Sequence, residues 1–205
     1  MYREHQPIIS TWARANPDNL ARVIQFCILS ARVKFYNVPA DIEIAARGGV
    51  DSLGVLFGWK TRAYAEAWER RAEIHWNCED IWEGPGARRE RANALLGYLA
   101  HCYGLNVAKA GFVCQLAYGV SGCLDSVNIG RLGLSPRLCA NYGQAKTPKR
   151  RRRMAGVYNG VVYRLGGPAR LWDDWCAAIA ERYPNKFPTA ESASAWHLTC
   201  LQIGG

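Results

Sequence analysis

The chain has 205 residues, 49% of them hydrophobic and 21% charged, and 26 Lys and Arg against 17 Asp and Glu give a formal net charge of +9. That much apolar material builds a sizeable core and excludes wholesale disorder, and no apolar run approaches the roughly 20 residues that span a bilayer. Arg supplies twenty of the 26 cations, and a basic excess of this kind points to a polyanionic partner, most often nucleic acid. The opening stretch MYREHQPIISTWARANPD has no uninterrupted apolar core, so no secretory signal is expected there.

In chain order the pattern predicts helices almost throughout. Residues 17–34 open with Pro17 and Asp18 and carry Leu20, Val23, Ile24, Cys27, Ile28 and Ala31 at helical spacing. Residues 35–60 hold Pro39, Gly48, Gly49, Gly54 and Gly58, which predicts short helices joined by turns. Residues 61–78 are rich in Ala and Glu and predict a helix capped by Thr61. After the break at 83–86, residues 87–103 place Ala92, Leu95, Leu96, Leu99, Cys102 and Tyr103 on one stripe. A short hairpin at 104–107 leads into a helix over 108–118, and a break at 119–122 precedes a helix over 125–132. Thr147-Pro148 reads as an N-cap followed by Pro at the first helical position, with Met154, Val157, Tyr158, Val161, Val162 and Leu165 as the stripe behind it. Two helices, 168–182 and 189–201, close the chain. Alternating strand-like stretches are scarce, which predicts an all-α fold.

Eight cysteines stand at 27, 78, 102, 114, 123, 139, 176 and 200. None forms a CxxC pair, and the smallest step between them is nine residues. Zinc ribbons and iron–sulfur loops need two ligands on one turn, so the cysteines read as reduced, small apolar side chains of a cytoplasmic protein. Walker, Rossmann and zinc motifs are absent.

The central constellation lies in residues 95–133, LLGYLAHCYGLNVAKAGFVCQLAYGVSGCLDSVNIGRLG. An apolar helix ends at Tyr103-Gly104, where Gly suits the left-handed position after a helix. The next helix starts at once and carries Lys109 in its first turn, an unfavourable place for a cation unless a phosphate or carboxylate is near. The hairpin amides around Asn106 and Val107 form a natural phosphate seat. Asp125 follows sixteen residues after Lys109, where the next helix begins. Taken alone, Lys109 also reads as a solvated side chain of an ordinary helical hairpin, and Asp125 as an N-cap over Asn128.

This helix, hairpin, helix, turn and Asp resembles the helix-hairpin-helix DNA glycosylase superfamily. In that family an L-P-G-[VI]-G-x-K hairpin leads through an apolar helix and a turn to a V-D segment. Here Leu105-Asn106-Val107-Ala108-Lys109-Ala110 stands in the hairpin place and Cys123-Leu124-Asp125-Ser126-Val127-Asn128 in the V-D place, with Arg131 following as a late basic residue expected to contact DNA. The hairpin Pro and every hairpin glycine except Gly104 are missing, and the Lys-to-Asp spacing is shorter than the family's. The segments A-K-A-G-F-V-x-Q-L, C-L-D-S-x-N and R-L-G look most like a phage-encoded branch that acts in thymine hypermodification, the glutamyl- or putrescinyl-thymine pyrophosphorylases and amino-acid:DNA transferases.

The resemblance implies a single helix-hairpin-helix glycosylase-like helical domain over 1–205, with Asp125 and Lys109 catalytic. It implies duplex DNA as partner, a flipped thymine derivative as target, a small amine or amino-acid donor, no cofactor, no metal and no membrane, and the cytoplasm of a bacterial host as setting. Its first activity is transfer of an amine or amino acid onto pyrophosphorylated 5-hydroxymethyluracil. Excision of a modified base by a glycosylase, with or without lyase activity, is the alternative, and a non-catalytic DNA-binding module the third. A lysine-nucleophile glycosylase needs Lys109 uncharged, whereas a transferase uses it charged, against the leaving pyrophosphate.

A second signal is the run 146–153, KTPKRRRR, in which Lys146, Lys149, Arg150, Arg151, Arg152 and Arg153 crowd the start of a helix, where the macrodipole disfavours cations. Phosphate contact explains that placement, and a solvated face is the bland reading. Arg88, Arg89 and Arg91 extend the same expected surface. Gln115, Asn128, His75 and Trp76 are the expected pocket residues, with Trp76 stacking on a base. Trp172, Asp173, Asp174 and Trp175 read as a solvated acidic helix start or, less simply, a cation site. His101 and Cys102 are adjacent on a helix and do not face each other.

Overall fold

A computed structural model describes residues 1–31, 35–48, 58–102 and 104–201. Among these residues there are twelve α-helices, one 3-10 turn at Phe35–Asn37 and no strand, so the chain is all-α. The helices are α1 (Tyr2–Arg14), α2 (Pro17–Leu29), α3 (Val38–Gly48), α4 (Gly58–Glu69), α5 (Arg71–Glu83) and α6 (Arg88–Leu99). They continue with α7 (Val107–Tyr118), α8 (Ser126–Arg131), α9 (Arg137–Gly143), α10 (Pro148–Arg164), α11 (Gly167–Arg182) and α12 (Ala190–Cys200). The expected helical residues 32–34, the turns across 49–57 and Tyr103 lie outside the described residues. No helix among the described residues is long and apolar enough to cross a membrane.

The core is organised around α7, all twelve of whose residues are buried. Its sequence, VAKAGFVCQLAY, is apolar on every face apart from Lys109 and Gln115, and a helix apolar all round belongs inside. It packs against α1, α2, α6 and α9. From α2 the residues Leu20, Val23, Ile24, Cys27 and Ile28 enter the same core, and from α6 Ala92, Leu95, Leu96 and Leu99. On the other side α11 and α12 pack on each other and on α1.

Two glycines set the approach of α7. Gly104 has φ +79°, and a Cβ there would meet Ala63 Cβ at 2.2 Å, so both conformation and space require glycine. Gly111 lets the 119–124 loop press directly on the helix, because a Cβ would stand 2.3 Å from the Gly122 carbonyl oxygen and 3.1 Å from Tyr158 Oη. Tyr158 fixes that loop by donating to the Gly122 carbonyl at 2.8 Å and accepting from the Leu124 amide at 2.9 Å. Gly111→Ala is therefore expected to destabilise the fold by about 1–3 kcal/mol, read by urea unfolding. A change below about 0.5 kcal/mol, the range of ordinary surface substitutions, would mean that the loop is free to withdraw.

Several boundaries differ from the sequence pattern. The segment 61–78 divides at Arg70 into α4 and α5, and α4 begins at Gly58, which puts Thr61 inside the first turn instead of at the cap. Arg70 has ψ 14°, yet its amide still bonds to Glu66 and its carbonyl accepts from Ile74, so the break is slight. Val157 of the expected α10 stripe is exposed, and the buried positions are Ala155, Tyr158, Asn159 and Val162. Asn159 donates to Asn93 Oδ1 at 2.8 Å, a buried polar link between α10 and α6. The Thr147 cap stands as expected: its side chain accepts from the Arg150 amide at 3.3 Å, with Pro148 first in the helix. All eight cysteines are free thiols.

Candidate functional site

The site grows from two helix N-termini. Asn106 caps α7 by accepting from the Lys109 amide at 2.9 Å. This fixes the first turn with the Lys109 side chain pointing inward, and the residue is only 6% exposed. Its ammonium donates to Ser30 Oγ at 3.1 Å, stands 3.5 Å from Asp125 Oδ2 and lies 5.7 Å from the centre of the Phe112 ring. Asp125 caps α8, its Oδ1 accepting from the Asn128 amide at 3.1 Å. One carboxylate oxygen thus holds the helix while the other faces the lysine. The Asp125 side chain is 30% exposed, so the carboxylate remains reachable.

The turn that delivers Asp125 is pinned on every side. The Cys123 amide donates to Gln115 Oε1 at 3.3 Å, and Gln115 Nε2 donates to the Pro168 carbonyl at 2.8 Å. Asn128 Nδ2 donates to the Cys123 carbonyl at 2.8 Å, and Arg131 donates to Asn128 Oδ1 at 3.3 Å. Gln115, Asn128 and Arg131 therefore act first as supports of the Asp125 turn.

The charge state of Lys109 is set by competition. Burial by itself disfavours the ammonium, but the surrounding Cys123, Asp125 and Cys27 groups outweigh it as they ionise, and the group titrates above its ordinary value. Burial pushes Cys123 up to about 12 and Cys27 well above its usual range, so both are neutral thiols near pH 7. The Asp125 carboxylate is the ion-pair partner of the Lys109 ammonium, with Oδ2 at 3.5 Å.

The pair opens into a cavity of about 370 Å³. Ser30, Lys109, Phe112, Gln115, Cys123, Asp125 and Asn128 line one side. The face of α11 built by Leu171, Trp172, Trp175 and Ile179 lines the other, with Arg182, Tyr183 and His197. This volume lies in the range of small-molecule sites, and aromatic walls with a few convergent polar groups are their usual lining. Sequence reasoning missed Ser30, Phe112, Arg182, Tyr183 and His197, and read Trp172 and Trp175 in another role. Asp173 and Asp174 are no cation site: Asp173 accepts from the Tyr2 amide at 3.0 Å and Asp174 pairs with Arg170 at 3.0 Å. Among the described residues no group of three or more His, Cys, Asp or Glu is placed to hold a metal ion.

His75 and Trp76 do not belong to this cavity. His75 Nε2 lies 3.0 Å from the Arg14 carbonyl oxygen on α1, and Trp76 is 67% exposed on α5. The helical stripe of α5 turns Ile74 and Cys78 to the core, which sends Trp76 outward.

His197, on α12, is fully buried against Trp172, whose ring centre is 4.3 Å away, and against Trp175 at 5.6 Å. Burial pushes its pKa down from 6.5 to about 3, so it is neutral at pH 7. The unfolded chain takes up this proton below pH 6.5 while the folded protein resists until about pH 3, so stability is complete above 6.5 and is lost as pH falls through that window. Between pH 6.5 and 5 the loss from this group is expected to be about 2 kcal/mol, at roughly 1.4 kcal/mol per pH unit. Urea unfolding of wild type and His197→Gln at pH 7 and pH 5 checks it. The pH-dependent loss should shrink by that amount in the variant, and equal losses would refute the assignment.

The hairpin and the basic run meet on a second surface. Asn106 and Val107 share a shallow depression with His101, Tyr142, Lys146 and Arg151. Val107 is 3% exposed, so only its backbone faces a ligand, and Asn106 already spends its side-chain oxygen on the cap. Arg151 is also committed, donating to the carbonyls of Ala145 at 2.9 Å and Lys146 at 3.0 Å, where it ties down the end of α9. Lys146, Lys149, Arg150, Arg152 and Arg153 are exposed and enter no ion pair among the described residues. Arg152 and Arg91 flank a further depression between α10 and α6, while Arg88 and Arg91 stack near Trp82 at 5.7 and 5.6 Å. No family model, curated protein or solved structure matches the chain.

Proposed function

We propose that the protein is a DNA base-modifying enzyme of the helix-hairpin-helix glycosylase type, which binds duplex DNA and transfers an amine or amino acid onto a flipped, pyrophosphorylated 5-hydroxymethyluracil. The observation that carries this reading is the Lys109–Asp125 pair, 3.5 Å apart in the lining of an aromatic-walled cavity. The first turn of α7 supplies Lys109 to that cavity and Asn106 and Val107 to the depression beside Lys146, so a bound backbone phosphate and a base in the cavity would lie on two sides of one helical turn.

The chemistry follows from the charge states. A target base must leave the stack before its exocyclic group is reachable, and the face of Trp172 and Trp175 suits a planar ring. The reachable Asp125 carboxylate takes a proton from the donor ammonium. The freed amine attacks the exocyclic methylene carbon, a C–N bond forms, the C–O bond breaks and pyrophosphate departs with its electron pair. Lys109, held charged, stabilises that leaving group by a charge-assisted contact. The glycosylase alternative uses the same Asp125 against charge developing on the sugar, but a lysine nucleophile must be neutral, and its ion pair with Asp125 works against that. A non-catalytic module gives no role to an ion pair that faces a cavity through a reachable carboxylate.

Duplex DNA carrying the activated base, incubated with the protein and a pool of glycine and diaminobutane and then digested to nucleosides, tests the reading by mass spectrometry. A nucleoside carrying the donor is expected. Free base with abasic sites would replace the transferase by the glycosylase, and unchanged DNA would remove both.

The basic run makes a separate prediction. Replacing Arg150, Arg152 and Arg153 with Gln should weaken binding to all duplexes alike and lower the slope of log K against log salt by about 3 units, at roughly 0.9 per phosphate contact. Arg151 is left in place because its guanidinium holds backbone carbonyls. An unchanged slope would show that this face of α10 does not meet DNA.

A further inference from the structure

We propose that Arg182 is the specificity-determining residue for the donor, binding its carboxylate at the cavity mouth, so that the donor is an α-amino acid and not a diamine. The inference rests on the transferase reading above and names the substrate class of the same site.

Among the described residues, three charged side chains line the cavity: Lys109, Asp125 and Arg182. The first two neutralise each other at 3.5 Å. Arg182 enters no ion pair among the described residues, whereas Arg170 on the same helix is paired with Asp174 at 3.0 Å. The cavity therefore carries one uncompensated positive charge, at the last turn of α11. Tyr183 supports it, with the guanidinium 5.5 Å from the ring centre. Tyr36 meets Tyr183 edge-on at 5.3 Å, and Lys186 lies 4.6 Å from the Tyr36 ring centre, so a second cation borders the same aromatic pair. Among the described residues, no carboxylate lines this end.

Such a mouth repels a dication and attracts an anion. A guanidinium binds a carboxylate through two parallel N–H donors, which fixes orientation as well as affinity. An amino acid held this way enters with its carboxylate outward and its ammonium toward the interior, where Asp125 is the only anion lining the cavity among the described residues. The carboxylate is unchanged in the reaction: the ammonium loses one proton to Asp125, nitrogen bonds to the methylene carbon and pyrophosphate leaves. The competing explanation is that Arg182 merely complements the negative end of the helix dipole. That role predicts the same effect on every donor.

The test compares glycine, glycinamide and 1,4-diaminobutane as donors on duplex DNA carrying the activated base, with the full chain. Wild type is expected to prefer glycine. Arg182→Gln should lower kcat/KM for glycine roughly 10- to 100-fold, mainly through KM, while glycinamide stays within about two-fold of wild type. Arg182→Lys should recover part of the glycine activity, because charge is restored without the fork. Equal losses with glycine and glycinamide, or a wild-type preference for diaminobutane, would overturn the assignment while leaving the transferase reading intact. Failure of wild type with all three donors would refute the transferase reading itself, and this inference with it.

Discussion

Asp125→Asn is expected to lower turnover on the modified base roughly 100- to 10,000-fold, the range for removing a positioned general base, with duplex affinity within about two-fold of wild type. The separation between chemistry and binding comes from the divided labour of the carboxylate. Oδ1 caps α8 by accepting from the Asn128 amide at 3.1 Å, and Asn is as good a cap as Asp. The turn carrying residue 125 is also held by Gln115, Tyr158 and Asn128 through bonds the substitution does not touch. What Asn removes is the charge beside Lys109 and the capacity to take a proton. Single-turnover kinetics and fluorescence anisotropy on the same duplex measure the two effects. Turnover within a few-fold of wild type would reduce Asp125 to a helix cap.

Lys109→Gln is the second large effect, and it separates the two enzymatic readings. A charge-assisted contact to the leaving pyrophosphate contributes about 1.5–3 kcal/mol. Its loss should lower kcat/KM roughly ten- to a hundred-fold. A lysine nucleophile would instead form a Schiff base with the opened sugar, borohydride would trap a protein–DNA adduct, and the variant would abolish it. We expect no trapped adduct with wild type, because the Lys109 ammonium is paired with the Asp125 carboxylate at 3.5 Å and titrates above its ordinary value despite burial. A borohydride-stable adduct mapped to Lys109 would reverse this conclusion.

The parts of the fold that could be read from the residues were those written in local spacing. α2, α6, α7 and the Thr147-Pro148 start of α10 follow from apolar periodicity and capping residues within a few turns. α1 went unread because its sequence is polar with Pro7 inside it, although Ile9 and Ala13 are fully buried. α9 went unread because it is only seven residues long and buries Tyr142 alone.

For the site, Lys109 and Asp125 were legible because the chain between them is one helix and one turn, so their meeting is nearly a local event. The far wall was not. Trp76 and Trp172 both sit in helices beside acidic residues, and composition does not distinguish them. What does is long-range packing: α5 turns Ile74 and Cys78 inward and leaves Trp76 outside, whereas Trp172 is tied to α12 through Ser194 Oγ at 2.8 Å and stacks on His197. Ser30 and Arg182 join the cavity from chain positions far from the hairpin, so no motif around residues 95–133 announces them. Likewise, four consecutive arginines look equivalent in the sequence, and only the placement of the α9 end shows that Arg151 is committed to backbone carbonyls.

The central claim is that a modified base of duplex DNA enters the cavity between the Lys109–Asp125 pair and α11. A duplex carrying a diazirine on the methyl carbon of one target thymine, photolysed in complex with the protein, tests it directly. Peptide mass spectrometry should place the crosslinks on Phe112, Trp175 or their cavity neighbours, and unlabelled activated duplex should compete them away. Crosslinks confined to the exposed face of α10 or to the surface around Trp76, with none on the cavity walls, would contradict it.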